Sequence, residues 1–417
     1  MQNRKIHPGT FSGKIAIPAS KSDTQRALLA AALAPGNSTL FGVGFSEDEQ
    51  SMMESIQQLG ARVRPNDDGS FTILGGLDQV DGQVINAGES GLGSRLLTGI
   101  CATFSVETTI KAEGSLKHRP MDFFERYLPQ LNVQVTTDSG RLPITVKGPM
   151  QGGKITVDGS LSSQFISALL MALPQANSDS SLVVESLNSR PYVDMTLATL
   201  RAFGIRIDEH LKDQFFIPGN QVYTSTNYHI EADWSAAAFW LVAAALGANL
   251  SLTGLKAASL QADRALLTFL EQAGCSVHQD SGAYRVDGSK LQAFHVDATH
   301  CPDLFPALVV LAAGIEGIST IRGTNRLEHK ESNRGWVLKE EFGKLGLHME
   351  INGDLMTIHG TGKLKGGVSV DAHFDHRIAM ALGIACLLIE EPIKLHGHEA
   401  VSKSYPFFWE HFDTVFS

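Results

Sequence analysis

The chain repeats itself, and that restricts its fold more than any single motif does. Six times a short polar or glycine-containing cluster leads into an Ala/Leu-rich run: RALLAAALA from Arg26, RLLTGICA from Arg95, FISALLMAL from Phe165, AFWLVAAALG from Ala238, FPALVVLAAG from Phe305 and RIAMALGIA from Arg377. Successive starts lie about 70 residues apart, so one supersecondary unit used six times accounts for the full length. After each run comes a β-like stretch: STLFGVG, ETTIKAEG, SLVVESL, NLSLTGL, ISTIRGT and PIKLHGH. An amphipathic helix follows, closing on a similar phrase in five copies: IQQLGARV, LPQLNVQV, LRAFGIRI, LEQAGCSV and FGKLGLHM. The sixth copy, YPFFWEHFDTVF, ends the sequence, and its missing closing strand is expected from the N-terminal segment GKIAIPAS. That places the first residues with the C-terminal half.

A chain of 417 residues is too long for one ordinary core, so two domains are expected. An apolar fraction of 43% with few aromatic residues fits an α/β protein rather than a disordered or fibrous one. The net charge of −10 argues against nucleic acid as a partner. An anionic ligand must therefore be held by a local basic cluster against the overall field. The apolar runs Ala236–Leu246 and Leu304–Ile315 fall short of the ~20 residues that cross a bilayer. The first residues, MQNRKIHPGTFSGK, contain no apolar secretory core, and Cys101, Cys275, Cys301 and Cys386 show no CxxC spacing. Reduced, buried thiols and a cytoplasmic chain are expected.

The chemistry gathers where the repeats start. Arg26, Arg95 and Arg377 open three of the runs. A cation at a helix N-terminus opposes the macrodipole at roughly 0.3–1 kcal/mol, so its recurrence suggests an anion bound where backbone N–H groups also point. The cluster SKSDTQR adds Lys21 and Ser22, and GSLSSQF adds Ser162, Ser163 and Gln164, although each cluster alone also suits simple N-capping. Further basic residues are Arg119 in HRP, Lys330 and Arg334 in HKESNR, and Lys403 in VSKSYP. GESGLGSR lacks the GK[ST] of a P-loop, and no GxSxG elbow occurs. DAHFDHR (Asp371, His373, Asp375, His376) resembles a metal-ligand cluster, but Arg377 beside it and the lack of a partner motif argue against a metal.

Together KSDTQRALLAAALA, SSQF, SRPYVDMT, KESNR, FDHR and KSYPFF, in this order, resemble the 5-enolpyruvylshikimate-3-phosphate synthase family over nearly the whole chain. The resemblance implies a two-domain inside-out α/β barrel with three βαβαββ units per domain. Residues 1–16 and 230–417 would form one domain and 17–229 the other, with the active site in a cleft that closes over the ligands. It implies transfer of the enolpyruvyl group of phosphoenolpyruvate to the 5-hydroxyl of shikimate 3-phosphate by a monomer, with no metal or organic cofactor. Lys21, Ser22 and Arg26 would form the first substrate cluster, with Ser22 and Arg26 near the shikimate carboxylate. Ser162, Ser163 and Ser189 would hold the 3-phosphate, with Tyr192 beside them. Gln164 would lie between the substrates, and Asp303 and Lys330 at the shikimate hydroxyls. Arg119, Arg334, Arg377, Lys403, Lys21 and the backbone at Gly91 would cage phosphoenolpyruvate. Asp303 would take the hydroxyl proton, and Glu331, Lys21 or His376 would serve the carbon proton.

Some positions depart from the family pattern. Asn333 replaces the usual Asp of KESDR, and Glu89, Leu92 and Leu96 replace the usual asparagine, threonine and proline around the glycine motif. The altered loop is expected to reshape the phosphoenolpyruvate pocket and lower sensitivity to glyphosate. The runner-up, transfer to UDP-N-acetylglucosamine, is disfavoured because Thr108–Met121 lacks the reactive cysteine typical of that family. A non-catalytic anion-binding relative is disfavoured by retention of Lys21, Asp303, Lys330, Glu331, Arg334, Arg377 and Lys403.

Overall fold

A computed structural model describes residues 3–280, 282–328 and 330–417. All six apolar runs are helices: Lys21–Leu33, Gly91–Cys101, Ser163–Ala172, Trp234–Ala245, Phe305–Ala313 and His376–Ile384. Being apolar on nearly every side, they belong inside. Every residue of Phe305–Ala313 is buried, and so is every residue of Trp234–Ala245 except Ser235.

The polar clusters ahead of the runs do two local jobs. Ser20, Ser90, Ser162, Asp233 and Asp375 are N-caps, their side chains accepting from backbone N–H groups of the first turn. The clusters also form that first turn themselves, which corrects the expected placement of two arginines. Arg26 lies more than a turn inside Lys21–Leu33, and Arg95 is the fifth residue of Gly91–Cys101. Only Arg377 stands in the first turn. Of these three arginines, the macrodipole argument therefore applies to Arg377 alone.

Packing divides the chain into two units, one of Ala19–Ile230 and one holding the chain up to Pro18 together with Glu231–Ser417. Each unit contains three sheets, and five of the six sheets share one plan. Two parallel strands, which in three of the five flank an apolar helix of the same repeat, are completed by two antiparallel strands, as in Lys154–Asp158, Ser180–Glu185, Gln214–Ile217 and Asp208–Leu211. Within the second unit the helices Trp234–Ala245, Phe305–Ala313 and His376–Ile384 each touch the other two. In the first unit Gly91–Cys101 packs on both Lys21–Leu33 and Ser163–Ala172. The six apolar helices are buried within their units, in a mixed α/β architecture.

The chain passes between the units at Pro18–Ala19 and at Ile230–Glu231, and there strand order departs from sequence order. Ser12–Ala16 precedes the first helix but pairs in parallel with Asn249–Thr253. Asn227–His229 precedes Trp234–Ala245 but pairs in parallel with Gly36–Phe41 of the first repeat. GKIAIPAS thus opens the fourth sheet and does not close the sixth. The sixth is closed by Asn3–Ile6, antiparallel to Ile393–His396.

The shared closing phrase of five repeats has a single backbone cause. Gly60, Asn132, Gly204, Gly274 and Gly346 all adopt positive φ, between 62° and 103°. In each, the next residue donates its N–H five residues back, as from Ala61 to Ile56 O and from Leu347 to Phe342 O. This is the Schellman stop, and glycine enters it without a Cβ clash.

Candidate active site

In the Ala19–Ile230 unit, Lys21 begins its helix and pairs with buried Asp48 at 2.8 Å. Arg26 is 1% exposed and spends its donors on neutral oxygens. Nε donates to Thr196 Oγ1 at 2.8 Å, Nη1 to Ser22 O at 2.7 Å, and Nη2 to Ser167 Oγ and Tyr192 O at 3.3 and 3.2 Å. Burial lowers its pKa to about 10. Ser22, Arg26 and Tyr192 are thereby brought together by an arginine with no carboxylate ion-pair partner among the described residues. Ser189, also buried, holds positive φ at the start of Arg190–Ala202, three residues ahead of Tyr192. Such a conformation is costly for serine and implies that its surroundings impose it.

Arg95 turns back along its helix to hold Gln164 Oε1 and lies over the Phe165 ring at 4.7 Å. Gln164 follows the cap Ser162 and the buried Ser163, so the first turn of Ser163–Ala172 presents all three. Gly91 is the first residue of its helix, and a Cβ there would overlap the Arg119 guanidinium. Arg119 has a buried Nε with no hydrogen-bond acceptor and no carboxylate partner among the described residues. Of the three departures in this region, Leu92 and Leu96 are core residues. Glu89 alone reaches a neighbouring segment, lying against Gly114 and accepting from Ser115 at 3.4 Å, in the turn that leads to Arg119.

The other unit centres on Asp303, in a short 3-10 turn ahead of Phe305–Ala313. Its Oδ1 accepts from Lys330 Nζ at 3.1 Å and Arg334 Nη1 at 2.7 Å, and its Oδ2 from Arg377 Nη2 at 3.1 Å. Burial alone would raise its pKa, but Arg377, Lys330 and Arg334 outweigh it and hold the carboxyl well below the usual range. The two arginines differ. Arg334 is 1% exposed in its side chain and has a carboxylate on every nitrogen, with Nε on Asp375, Nη1 on Asp303, and Nη2 on Glu331 and Asp375. Arg377 makes one side-chain hydrogen bond, to Asp303, and its buried Nε has no acceptor among the described residues. Lys403 is 5% exposed at the end of the turn His398–Lys403.

The cluster DAHFDHR is spent on this framework. Asp375 accepts from Arg334, Ser332 and the Arg377 N–H, Asp371 accepts from His373 N–H, and His373 meets Glu341 at 2.8 Å. His376 is 1% exposed, with Nδ1 4.0 Å from Asp375. Asn333, which replaces the family's usual Asp, caps Arg334–Lys344 by accepting from Trp336 N at 3.3 Å, so capping survives the loss of charge.

Sequence reasoning missed Asp48, Ser167, Thr196 and Asp263. Asp263 is buried near Asp303 and Arg377 and accepts from Ser235, and its other oxygen has no hydrogen-bond partner among the described residues. Each of these lies in a helix or turn where its residue type reads equally well as a cap or as packing, so no local signal distinguishes it.

A profile of the EPSP synthase family (3-phosphoshikimate 1-carboxyvinyltransferase) matches residues 6–412. The 3-phosphoshikimate 1-carboxyvinyltransferase of Clostridium kluyveri is 37% identical over 417 residues, covering 100% of this chain and 97% of that protein. That of Clostridium acetobutylicum is 37% identical over 410 residues, covering 97% and 95%. The solved EPSP synthase of Acinetobacter baumannii superposes with a TM-score of 0.83 at 28% identity, covering 100% and 98%. An enolpyruvyl transferase from Streptomyces tendae shares the fold, with a TM-score of 0.78 at 18% identity over 99% and 96%. The chain belongs to the EPSP synthase family.

Proposed function

We propose that this chain transfers the enolpyruvyl group of phosphoenolpyruvate to the 5-hydroxyl of shikimate 3-phosphate, a step of aromatic amino acid biosynthesis, and that both units serve the same two substrates. The observation that carries the reading is the contrast among its arginines. Among the described residues, Arg119 and Arg377 each keep a buried Nε with no acceptor, whereas Arg334 has a carboxylate on all three of its nitrogens. A guanidinium with free donors in low dielectric is poised for an anion, and phosphoenolpyruvate brings both a carboxylate and a phosphate. Lys21, Lys403 and Gln164 complete that cage. Ser162, Ser163 and Ser189 suit the 3-phosphate, and Ser22 with Arg26 and Tyr192 suits the shikimate ring and its carboxylate. We read the chain as a cytoplasmic monomer, in keeping with four buried free cysteines.

The reaction is an addition followed by an elimination. The 5-hydroxyl oxygen attacks the enol carbon as its proton passes to Asp303, and the methylene carbon takes a proton to become a methyl group. Loss of a methyl proton then re-forms the double bond as the bond to phosphate breaks. Asp303 is a weak base while three cations surround it. Phosphoenolpyruvate competes for those cations, which raises the basicity of Asp303 when the substrate is in place. Glu331, whose side chain is 12% exposed and held by Arg334, and Lys21, held by Asp48, are more accessible than the buried His376, which favours them for the carbon proton. The cationic cage offsets the charge that develops along the path.

The test is release of phosphate from phosphoenolpyruvate with shikimate 3-phosphate, and separately with UDP-N-acetylglucosamine. Release with the first alone is expected; release only with the second would overturn the reading. Glyphosate sensitivity then turns on Glu89, and restoring asparagine there is expected to increase inhibition competitive with phosphoenolpyruvate.

A further inference from the structure

The hairpin of His348–Asn352 and Leu355–Gly360 carries a cluster that the transferase chemistry does not use. The strands are antiparallel, with His348 directly opposite His359. Side chains alternate along a strand, so His348, Glu350 and His359 share one face while Met349, Met356 and Ile358 turn into the core. The three outer side chains are 65%, 48% and 35% exposed. Both Nε2 atoms converge on one carboxylate oxygen, Glu350 Oε1, from His348 at 3.1 Å and from His359 at 3.7 Å. The imidazole centroids are 4.7 Å apart, and His359 Nε2 has no hydrogen-bond partner among the described residues.

We propose that this face of the hairpin is a binding site for a divalent transition-metal ion of the zinc, nickel or copper class, with His348, Glu350 and His359 as its ligands. The three ligand atoms lie within 4.8 Å of one another. Ligands about 2.0–2.2 Å from a tetrahedral zinc ion stand roughly 3.3 Å apart, so small side-chain rotations complete the site. Two imidazoles and one carboxylate select borderline ions over magnesium or calcium, which prefer oxygen. Water fills the remaining positions. Among the described residues Glu350 has no lysine or arginine partner, so its charge is available. The other candidate cluster, Glu340, Glu341 and His373, differs in this respect. There Lys344 Nζ already occupies Glu341, at 2.7 and 2.8 Å, and Asp371 N–H takes the same carboxylate at 3.0 Å. An ion there would have to displace a bound ammonium. The hairpin site needs no such exchange, and its ion would tie one strand to the other.

The experiment uses the full chain, free of any purification tag and stripped with a chelator. It is titrated calorimetrically with Zn²⁺ and with Mg²⁺, and with Co²⁺ followed by visible absorption. One saturable Zn²⁺ site per chain is expected, with tetrahedral-type Co²⁺ bands and a thermal midpoint raised by Zn²⁺. His348→Ala and His359→Ala should abolish these effects, Glu350→Gln should weaken them, and His373→Ala should leave them intact. The ligands project from the outer face, so without metal the variants should keep the parent midpoint and rate of phosphate release; His359→Gln serves should the alanine variant unfold. Absence of saturable Zn²⁺ binding overturns the proposal. So does binding that survives loss of both hairpin histidines, or that disappears with His373.

Discussion

Gly91 and Asp263 show how little of a site need be visible in the residue that controls it. At Gly91 the relevant neighbour is Arg119, whose guanidinium fills the space a Cβ would take. Gly91→Ala must push that side chain aside, and because its far end is flexible the fold should tolerate the change. The expected result is a KM for phosphoenolpyruvate raised roughly tenfold, about 1.4 kcal/mol of lost binding, with the KM for shikimate 3-phosphate little altered. Steady-state kinetics in both substrates separates the two, and an equal rise in both would show a general distortion. Asp263 acts through its proton. Burial and then Asp303 push its pKa up to about 7, against the opposing effects of Arg377 and the Ser235 hydroxyl. An unfolded aspartate titrates near ~3.9, so between about pH 4 and 7 the folded chain keeps a proton that the unfolded chain has lost. Stability conferred by that proton falls as pH rises through this window and is gone above it. Asp263→Asn has no proton to lose, so its stability relative to the parent should improve from about pH 5 to about pH 8. Urea midpoints at the two values measure this; a constant difference would mean that Asp263 is ionised throughout. The resemblance named the Gly91 backbone as part of the phosphoenolpyruvate cage but not the room it leaves for Arg119, and Asp263 was not legible in the sequence at all. Lys21, Lys330 and Arg334 stand in motifs, whereas Asp263 and Asp48 read like any acidic residue near a helix start.

The helices and strands were the most legible level, because each repeat states the same pattern again. The apolar runs name the inner helices, and the recurring phrase at the end of each outer helix names its stop. What periodicity concealed was where a helix begins: Arg26 and Arg95 read as first residues because the polar first turn ahead of them resembles a loop. The stops allow a ranking. At positive φ a Cβ costs about 1–2 kcal/mol, and local crowding adds to that. At Gly274 the added atom would fall inside the contact radius of the Lys290 carbonyl oxygen, which is backbone and cannot swing away. At Gly60 and Gly204 it would meet the side-chain oxygens of Asp78 and Thr224 at 2.6 and 2.7 Å. At Gly346 it would meet only the aliphatic stem of Lys365, at 3.2 Å or more. Alanine should therefore be most destabilising at Gly274 and least at Gly346, with the other two between. Chemical denaturation of the four variants tests the order, and a Gly346 variant as damaged as the Gly274 one would refute the crowding argument. Asn132, already tolerating φ of 62°, should gain slightly from glycine.

At the scale of the whole chain, pairing was the one relation the pattern could not reveal, since periodicity marks a strand without naming its neighbour. GKIAIPAS reads as the closing strand of the last repeat, yet it opens the fourth sheet, and Asn3–Ile6 closes the sixth. This exchange makes the two units unequal as fragments. Ala19–Ile230 carries every strand of its three sheets, because Asn227–His229 returns to pair with Gly36–Phe41. Glu231–Ser417 lacks two strands that its sheets require. It also lacks Phe11, which is 1% exposed and packs edge-on against Trp240 and Phe412 at 5.5 and 5.0 Å. Uncovering that one ring forfeits about 1.5–3 kcal/mol before any strand is counted. Residues 19–230 expressed alone should therefore unfold cooperatively in urea, and residues 231–417 alone should not. The remedy follows from hydrogen bonds at the chain ends. Thr10 and Ser417 exchange backbone bonds of 2.9 Å in both directions, so the two termini already run side by side. Joining residues 1–18 after Ser417 through a flexible linker should restore a cooperative transition to the 231–417 fragment. If 231–417 folds equally well without that segment, the exchanged strands are ornaments on a self-sufficient unit; if the fusion stays unfolded, covalent passage through the first unit is itself needed.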